Sequence, residues 1–255
     1  MLDTSRSRPP AAWSAGKCAT ARRPAMQMLF ALVAAMAPAA AEAAGGAFVV
    51  DDAEIGKPGD CKVESWVAFA SNHDFQAVTQ PACVANLGIP VELTATYART
   101  RTDGEWQNFA GGKAKINLVP VETGRIGIGL VESALWDVRS GQNNFNMLFV
   151  PLTYQLSDKF RININAGWQY DGSHQANQNY WGAGFEWNFQ QPLTLIGEVF
   201  GFAGPHVDPT SFTEPRAQLG LRVTPVKNLD VDLIYGRNVG GENANWFTLG
   251  LNVRF

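Results

Sequence analysis

The chain ends in "NWFTLGLNVRF", where Phe247, Leu249, Leu251, Val253 and Phe255 fall on one face and Trp246, Thr248, Gly250, Asn252 and Arg254 on the other. A period of two sustained over some ten residues predicts a β-strand and not a helix. The pattern recurs upstream. "FRININAGWQY" sets Phe160, Ile162, Ile164, Ala166, Trp168 and Tyr170 against Arg161, Asn163, Asn165, Gly167 and Gln169. "YWGAGFEWNF" sets Trp181, Ala183, Phe185, Trp187 and Phe189 against Tyr180, Gly182, Gly184, Glu186 and Asn188. "VELTATY", "KAKINL", "RAQLGLRV" and "LDVDLIYGR" behave alike. Beyond residue 60 nothing reads as an amphipathic helix. The alternation predicts about twelve strands, at 61–70, 75–83, 90–99, 107–119, 124–135, 144–155, 160–170, 178–189, 193–203, 214–223, 229–238 and 246–255. About ten residues per strand suits a tilted membrane-crossing strand.

The connections form two sets. "NLGIP", "VETG", "LSDK", "QQP" and "TPVKN" are short, whereas "RTRTDGEWQ", "DVRSGQNN", "DGSHQANQ", "AGPHVDPTSFTEP" and "NVGGENAN" are longer and polar, with "SNHD" a short exception. Short turns alternating with longer loops are expected of a bacterial outer-membrane barrel.

Alternation is common to a soluble sandwich and a membrane barrel; they differ in which face the apolar side chains take. Two features favour the barrel. Arg161, Glu186, Glu198, Arg216, Arg222, Asp230, Asp232 and Arg254 share the polar faces, where they can line a lumen or pair across it. Tyr97, Trp106, Trp136, Tyr154, Phe160, Trp168, Tyr170, Tyr180, Phe189, Phe247 and Phe255 fall near strand ends, as aromatic girdles require. The fold class expected is all-β: a single up-and-down antiparallel transmembrane β-barrel of about 12 strands.

The segment "FTLGLNVRF" resembles the C-terminal signature of Gram-negative outer-membrane β-barrels, a strand ending in an aromatic residue that the barrel-assembly machinery reads. "NLVPVETGRIGIGL", "FRININAGW", "GAGFEWNF", "PLTLIGEVFG" and the last two strands resemble a small alphaproteobacterial porin- or transporter-like family of unassigned function. More loosely they resemble barrels linked to phenol degradation. The resemblance covers most of residues 47–255 and implies a barrel, with Phe255 as the assembly signal and no catalytic motif to carry over.

Arg22 and Arg23, the apolar run "MLFALVAAMA" and the site Ala41-Glu42-Ala43 predict a secretory signal peptide over residues 1–43, exported through the Sec pathway and cleaved before Ala44. The apolar run is about half the ~20 residues of a spanning helix. Residues 44–60 are expected as a short periplasmic segment and 61–255 as the barrel. Cleavage leaves 15 basic and 21 acidic residues, a net −6 without a basic block, so no nucleic-acid partner is expected. It also leaves Cys61 and Cys83, an even pair in an oxidising compartment. A first hairpin centred on Asn72 sets them opposite each other, near the spacing of a disulfide.

Catalytic chemistry finds little support. An outer-membrane lipase or deacylase needs a nucleophile held by a base, and the candidates are His73, His174 and His206 in loops, with Ser173 beside His174. Adjacent loop residues rarely hold that geometry. His73 with Asp74 and His206 with Asp208 lack a third ligand at metal-site spacing. "GRIGIG" lies in alternating strand with no helix after it, so it is no phosphate loop. The sequence therefore predicts no enzyme, no cofactor and no metal. It predicts a monomer in outer-membrane lipid, moving small solutes passively or serving as a structural envelope protein, with a lipid-modifying enzyme as the alternative.

Overall fold

The computed structural model describes residues 46–172, 175–204, 215–239 and 244–255. Twelve strands follow one another: β1 (Cys61–Ala70), β2 (Phe75–Asn86), β3 (Pro90–Thr102), β4 (Glu105–Val119), β5 (Ile126–Asp137), β6 (Asn143–Ser157), β7 (Phe160–Asp171), β8 (Ala176–Gln190), β9 (Leu193–Ala203), β10 (Arg216–Val226), β11 (Leu229–Asn238) and β12 (Asn245–Arg254). Each pairs antiparallel with its chain neighbour, and β1 pairs with β12 to close the barrel. The seam runs from Lys62↔Arg254 to Ala70↔Trp246. Beyond it, Cys61 N–H donates to the Phe255 carbonyl (3.0 Å) and Phe255 N–H to the Cys61 carbonyl (2.9 Å). The ladder thus closes on itself without a free edge, which a bilayer demands.

The alternation decides which way the wall faces. Leu93, Tyr97, Ile126, Leu148, Ile164, Trp181, Leu219, Leu233, Leu249 and Leu251 are exposed on the outside, and Arg161, Asn163, Asn165, Glu186, Glu198, Arg222, Asp230 and Asp232 are buried inside. Apolar out and polar in is the polarity of a membrane barrel. Outward charges stand near the loop ends of strands, at Arg99, Arg101 and Arg237, and in mid-strand at Glu132. Cys61 and Cys83 pair directly across β1 and β2 and form a disulfide, with Cα atoms 4.1 Å apart.

Three expectations need correction. "RTRTDGEWQ" is not a long loop: β3 runs to Thr102, β4 starts at Glu105, and only Asp103 and Gly104 turn the chain. Both have positive φ (52° and 85°), the conformation that favours Asp-Gly in tight hairpins. Tyr180 is not in a girdle; it is 2% exposed and points into the lumen, because it shares the inward register of Glu186. Residues 44–60 are not confined to the periplasm, since Phe48–Glu54 lie within the barrel, as described next. The signal-peptide reading over 1–43, Ser173, His174 and His206 lie outside the described residues.

Candidate functional site

The lumen is crossed by the chain's own N-terminal segment. From Asp60, which pairs with Val84 beside the disulfide, the chain rises into the barrel. Its backbone there has no ladder partner, so side chains of the wall must satisfy it. Val49 and Val50 N–H donate to the two oxygens of Glu198 (3.0 and 3.1 Å). Asp51 N–H donates to Asn165 Oδ1 (2.8 Å), while Asn165 Nδ2 donates back to the Asp51 carbonyl (2.7 Å). Tyr180 donates its hydroxyl to the Val49 carbonyl (3.0 Å), and Ala53 N–H donates to Thr153 Oγ1 (2.9 Å).

Ion pairs fix the same segment. Lys115 Nζ lies 2.9 Å from Asp51 and 3.1 Å from Asp52, and Lys113 lies 3.6 Å from Asp51. Arg161 reaches Glu54 at 2.7 Å and Asp52 at 3.6 Å while holding Glu186 through two hydrogen bonds of 2.8 Å. The two aspartates belong to the plug and not to a spanning strand. Burial lifts the Asp52 carboxyl, to about 6, against the pull of Lys115 and Arg161. Burial pushes Asp51 the same way, but Lys115 and Lys113 outweigh it and hold that carboxyl below its ordinary range.

Close approach to the wall needs missing side chains. A Cβ on Gly182 would sit 2.9 Å from Val50 Cγ2, and one on Gly220 would sit 2.7 Å from the Phe48 ring. Phe48 packs on Ile196 and Ile234, inward-facing residues of β9 and β11, and Val50 joins Val131, Phe149, Tyr180 and Phe200 in a hydrophobic cluster. Burial of this kind stabilises by ~1.5–3 kcal/mol per large side chain.

Of the charged residues foreseen in the lumen, Arg161 and Glu186 pair on neighbouring strands, as do Arg222 and Asp232 (2.7 and 2.9 Å). Arg254 pairs with Asp230, which also accepts from Thr224 (2.7 Å). Glu198 serves the plug and takes a further bond from Gln218 Nε2 (2.6 Å). Arg216 stands at the loop end of β10, facing the cavity described below. The inward charges therefore form a bonded lattice around the plug and do not present a bare charged pore. Sequence reasoning missed Asp51, Asp52, Glu54, Lys113 and Lys115 as parts of that lattice, and missed Lys62 with Glu64 and Glu92 (3.6 and 3.4 Å).

Above the plug, towards the loops, the lumen widens into a vestibule of about 960 Å³. Its wall sets aromatic and amide side chains among small, aliphatic and hydroxyl-bearing ones. His73 sits outside the lattice in the β1–β2 turn, its carbonyl accepting from Arg101 (2.6 Å). Among the described residues no group of histidines, cysteines and carboxylates is arranged to hold a metal ion.

Residues 31–255 match the model of a family described as uncharacterised conserved protein UCP029691. The chain belongs to that family. No curated protein matches the sequence. Solved structures match the fold at low identity. The KdgM porin is 10% identical with a TM-score of 0.58, over 76% of this chain and 99% of the porin. The COG4313 outer membrane channel from Pseudomonas putida F1 is 12% identical with a TM-score of 0.53, over 80% and 98%. Outer membrane phospholipase A from Escherichia coli is 10% identical with a TM-score of 0.50, over 77% and 93%. At these identities the likeness is one of architecture: a closed barrel of the outer-membrane type.

Proposed function

We propose that the protein is an outer-membrane channel for small solutes, passive and gated by its own N-terminal segment. The observation that carries this is the lumen: a polar interior with a wide vestibule at one end, closed in its middle by a strip of chain held by side-chain hydrogen bonds, ion pairs and the packing of Phe48 and Val50. A purely structural barrel has no need of a vestibule, and its lattice would close without the plug. The reading also includes Sec export with cleavage near Ala44, insertion as a monomer by the barrel-assembly machinery, and the loop end facing outside. Structural likeness to porins and an outer-membrane channel supports the barrel class on which it builds.

Planar-bilayer recording tests it. The intact mature chain should give small or rare steps, and a variant lacking residues 46–54 should give larger steady ones. A folded variant without the plug that passes no current overturns the channel reading. Hydrolysis of phospholipid by the intact protein favours the enzyme instead, the alternative consistent with the phospholipase-like architecture.

A further inference from the structure

We infer that the vestibule is a binding site for neutral sugars, with Trp246 as the platform on which the sugar ring lies. The inference rests on the reading of the lumen as a solute path.

Trp246 is an inward residue on β12, and its indole lies across Gly236 of β11. A Cβ at Gly236 would fall 2.1–2.4 Å from three atoms of the ring, so the glycine lets the indole lie against the wall. Beyond β11 the indole N–H points to Gln218 Oε1 on β10 (3.4 Å). On the other side its strand partner is Ala70, and Thr248 next inward on β12 faces Ala68. The ring is half-buried, packs at one side on the cluster of Val50, Phe149, Tyr180 and Phe200, and with its remaining surface lines the vestibule. A flat aromatic face that is backed by glycine, held by its own N–H and bordered by alanines suits the C–H face of a sugar ring.

Between apolar lining residues such as Val78, Leu135, Phe145, Met147 and Phe202, the wall also carries groups that both donate and accept. Gln76 and Gln80 on β2, Thr96 on β3, Ser133 on β5 and Thr248 on β12 all line the same cavity. Amides and hydroxyls of this kind match sugar hydroxyls, each of which donates and accepts. Among the described residues the charges of the vestibule stand at its floor, where Lys113 pairs with Asp51, and at its mouth, as Asp74, Asp103 and Arg216. The middle wall offers no cluster of cations, so a carboxylated sugar would leave water there without a countercharge. A volume of about 960 Å³ accommodates two or three sugar units.

Isothermal titration of the folded, detergent-solubilised mature protein tests the assignment, with maltotriose, trigalacturonic acid and benzoate as probes. Maltotriose should bind, and each of the other two at least ten-fold more weakly. Trp246→Leu should lose at least ten-fold in maltotriose affinity. Gln76→Ala, at an exposed position on β2, should lose several-fold, and it carries the test if Trp246→Leu fails to fold. Absence of maltotriose binding, equal or tighter binding of trigalacturonic acid or benzoate, or unchanged affinity in the folded variants overturns the inference. Titration requires no current, so sugar binding to a barrel that never conducts would leave this site standing and overturn only the channel; conduction without sugar binding would do the reverse.

Discussion

Glu132 is the residue that departs furthest from the pattern around it. It points outward from mid-strand, exposed, with Ala114 and Leu148 as its partners on the flanking strands. A carboxylate near the bilayer midplane costs less than the ~2–4 kcal/mol of an arginine there but is still unfavourable. Glu132→Leu should therefore raise the stability of the barrel by about 1 kcal/mol, read as a higher denaturant midpoint in lipid vesicles. A lower midpoint would show that the carboxylate has a favourable partner in the membrane. Leu251 and Asn252 test the faces directly. Leu251 is 45% exposed outward, while Asn252 is 4% exposed and donates to Glu64 (3.4 Å). Leu251→Arg should cost about 2–4 kcal/mol and lower folded yield. Asn252→Ala loses one long hydrogen bond to the Glu64 carboxylate, about 1.5 kcal/mol, and should still assemble nearly as well as the parent. A larger loss from Asn252→Ala would mean that the lumen lattice, and not lipid contact, governs assembly.

At the scale of elements, the strands were legible because alternation states both their existence and their facing, and bulges near strand ends disturb only local register. The plug was not. "GAFVVDDAE" has no period, and its partners Asn165, Thr153, Tyr180 and Glu198 lie a hundred or more positions away. Traces of it were nonetheless present: two adjacent acids at Asp51 and Asp52, two lysines on one face of "KAKINL", and glycines at 182 and 220 on inward faces, where the first atoms an added Cβ would meet are the plug's. Tyr180 and Trp246 carried a similar message, being large aromatics in polar registers. Gly182 is the place where the plug's seating can be tested. Any side chain there meets Val50, and a leucine needs the space that the plug occupies. Overpacking costs ~1–3 kcal/mol when neighbours cannot move, but the plug is held only by side-chain contacts, so it should be displaced while the wall remains. Gly182→Leu should thus fold and give larger conductance steps than the parent; steps of unchanged size would show that the plug stays seated.

Taken whole, the barrel is one hydrogen-bonded ring whose two ends meet at Cys61 and Phe255. The disulfide ties Cys61 to Cys83 at that junction, so the strand that closes the seam is cross-linked to β2 at its first residue. Its contribution to stability should nevertheless be small. Cross-links stabilise mainly by restricting the unfolded chain, with a range of ~0–5 kcal/mol, and β1 is already bonded on both sides by ladders once the ring is closed. The ring itself supplies the resistance to detergent, because unfolding must break a ladder that has no edge from which to fray. Unboiled protein should accordingly migrate differently from boiled protein on SDS gels, with or without reductant. The double variant Cys61→Ser, Cys83→Ser should keep that difference while its denaturant midpoint falls modestly. Loss of the unboiled band on reduction alone would show that closure at the Cys61–Phe255 junction depends on the covalent link and not on the ladder.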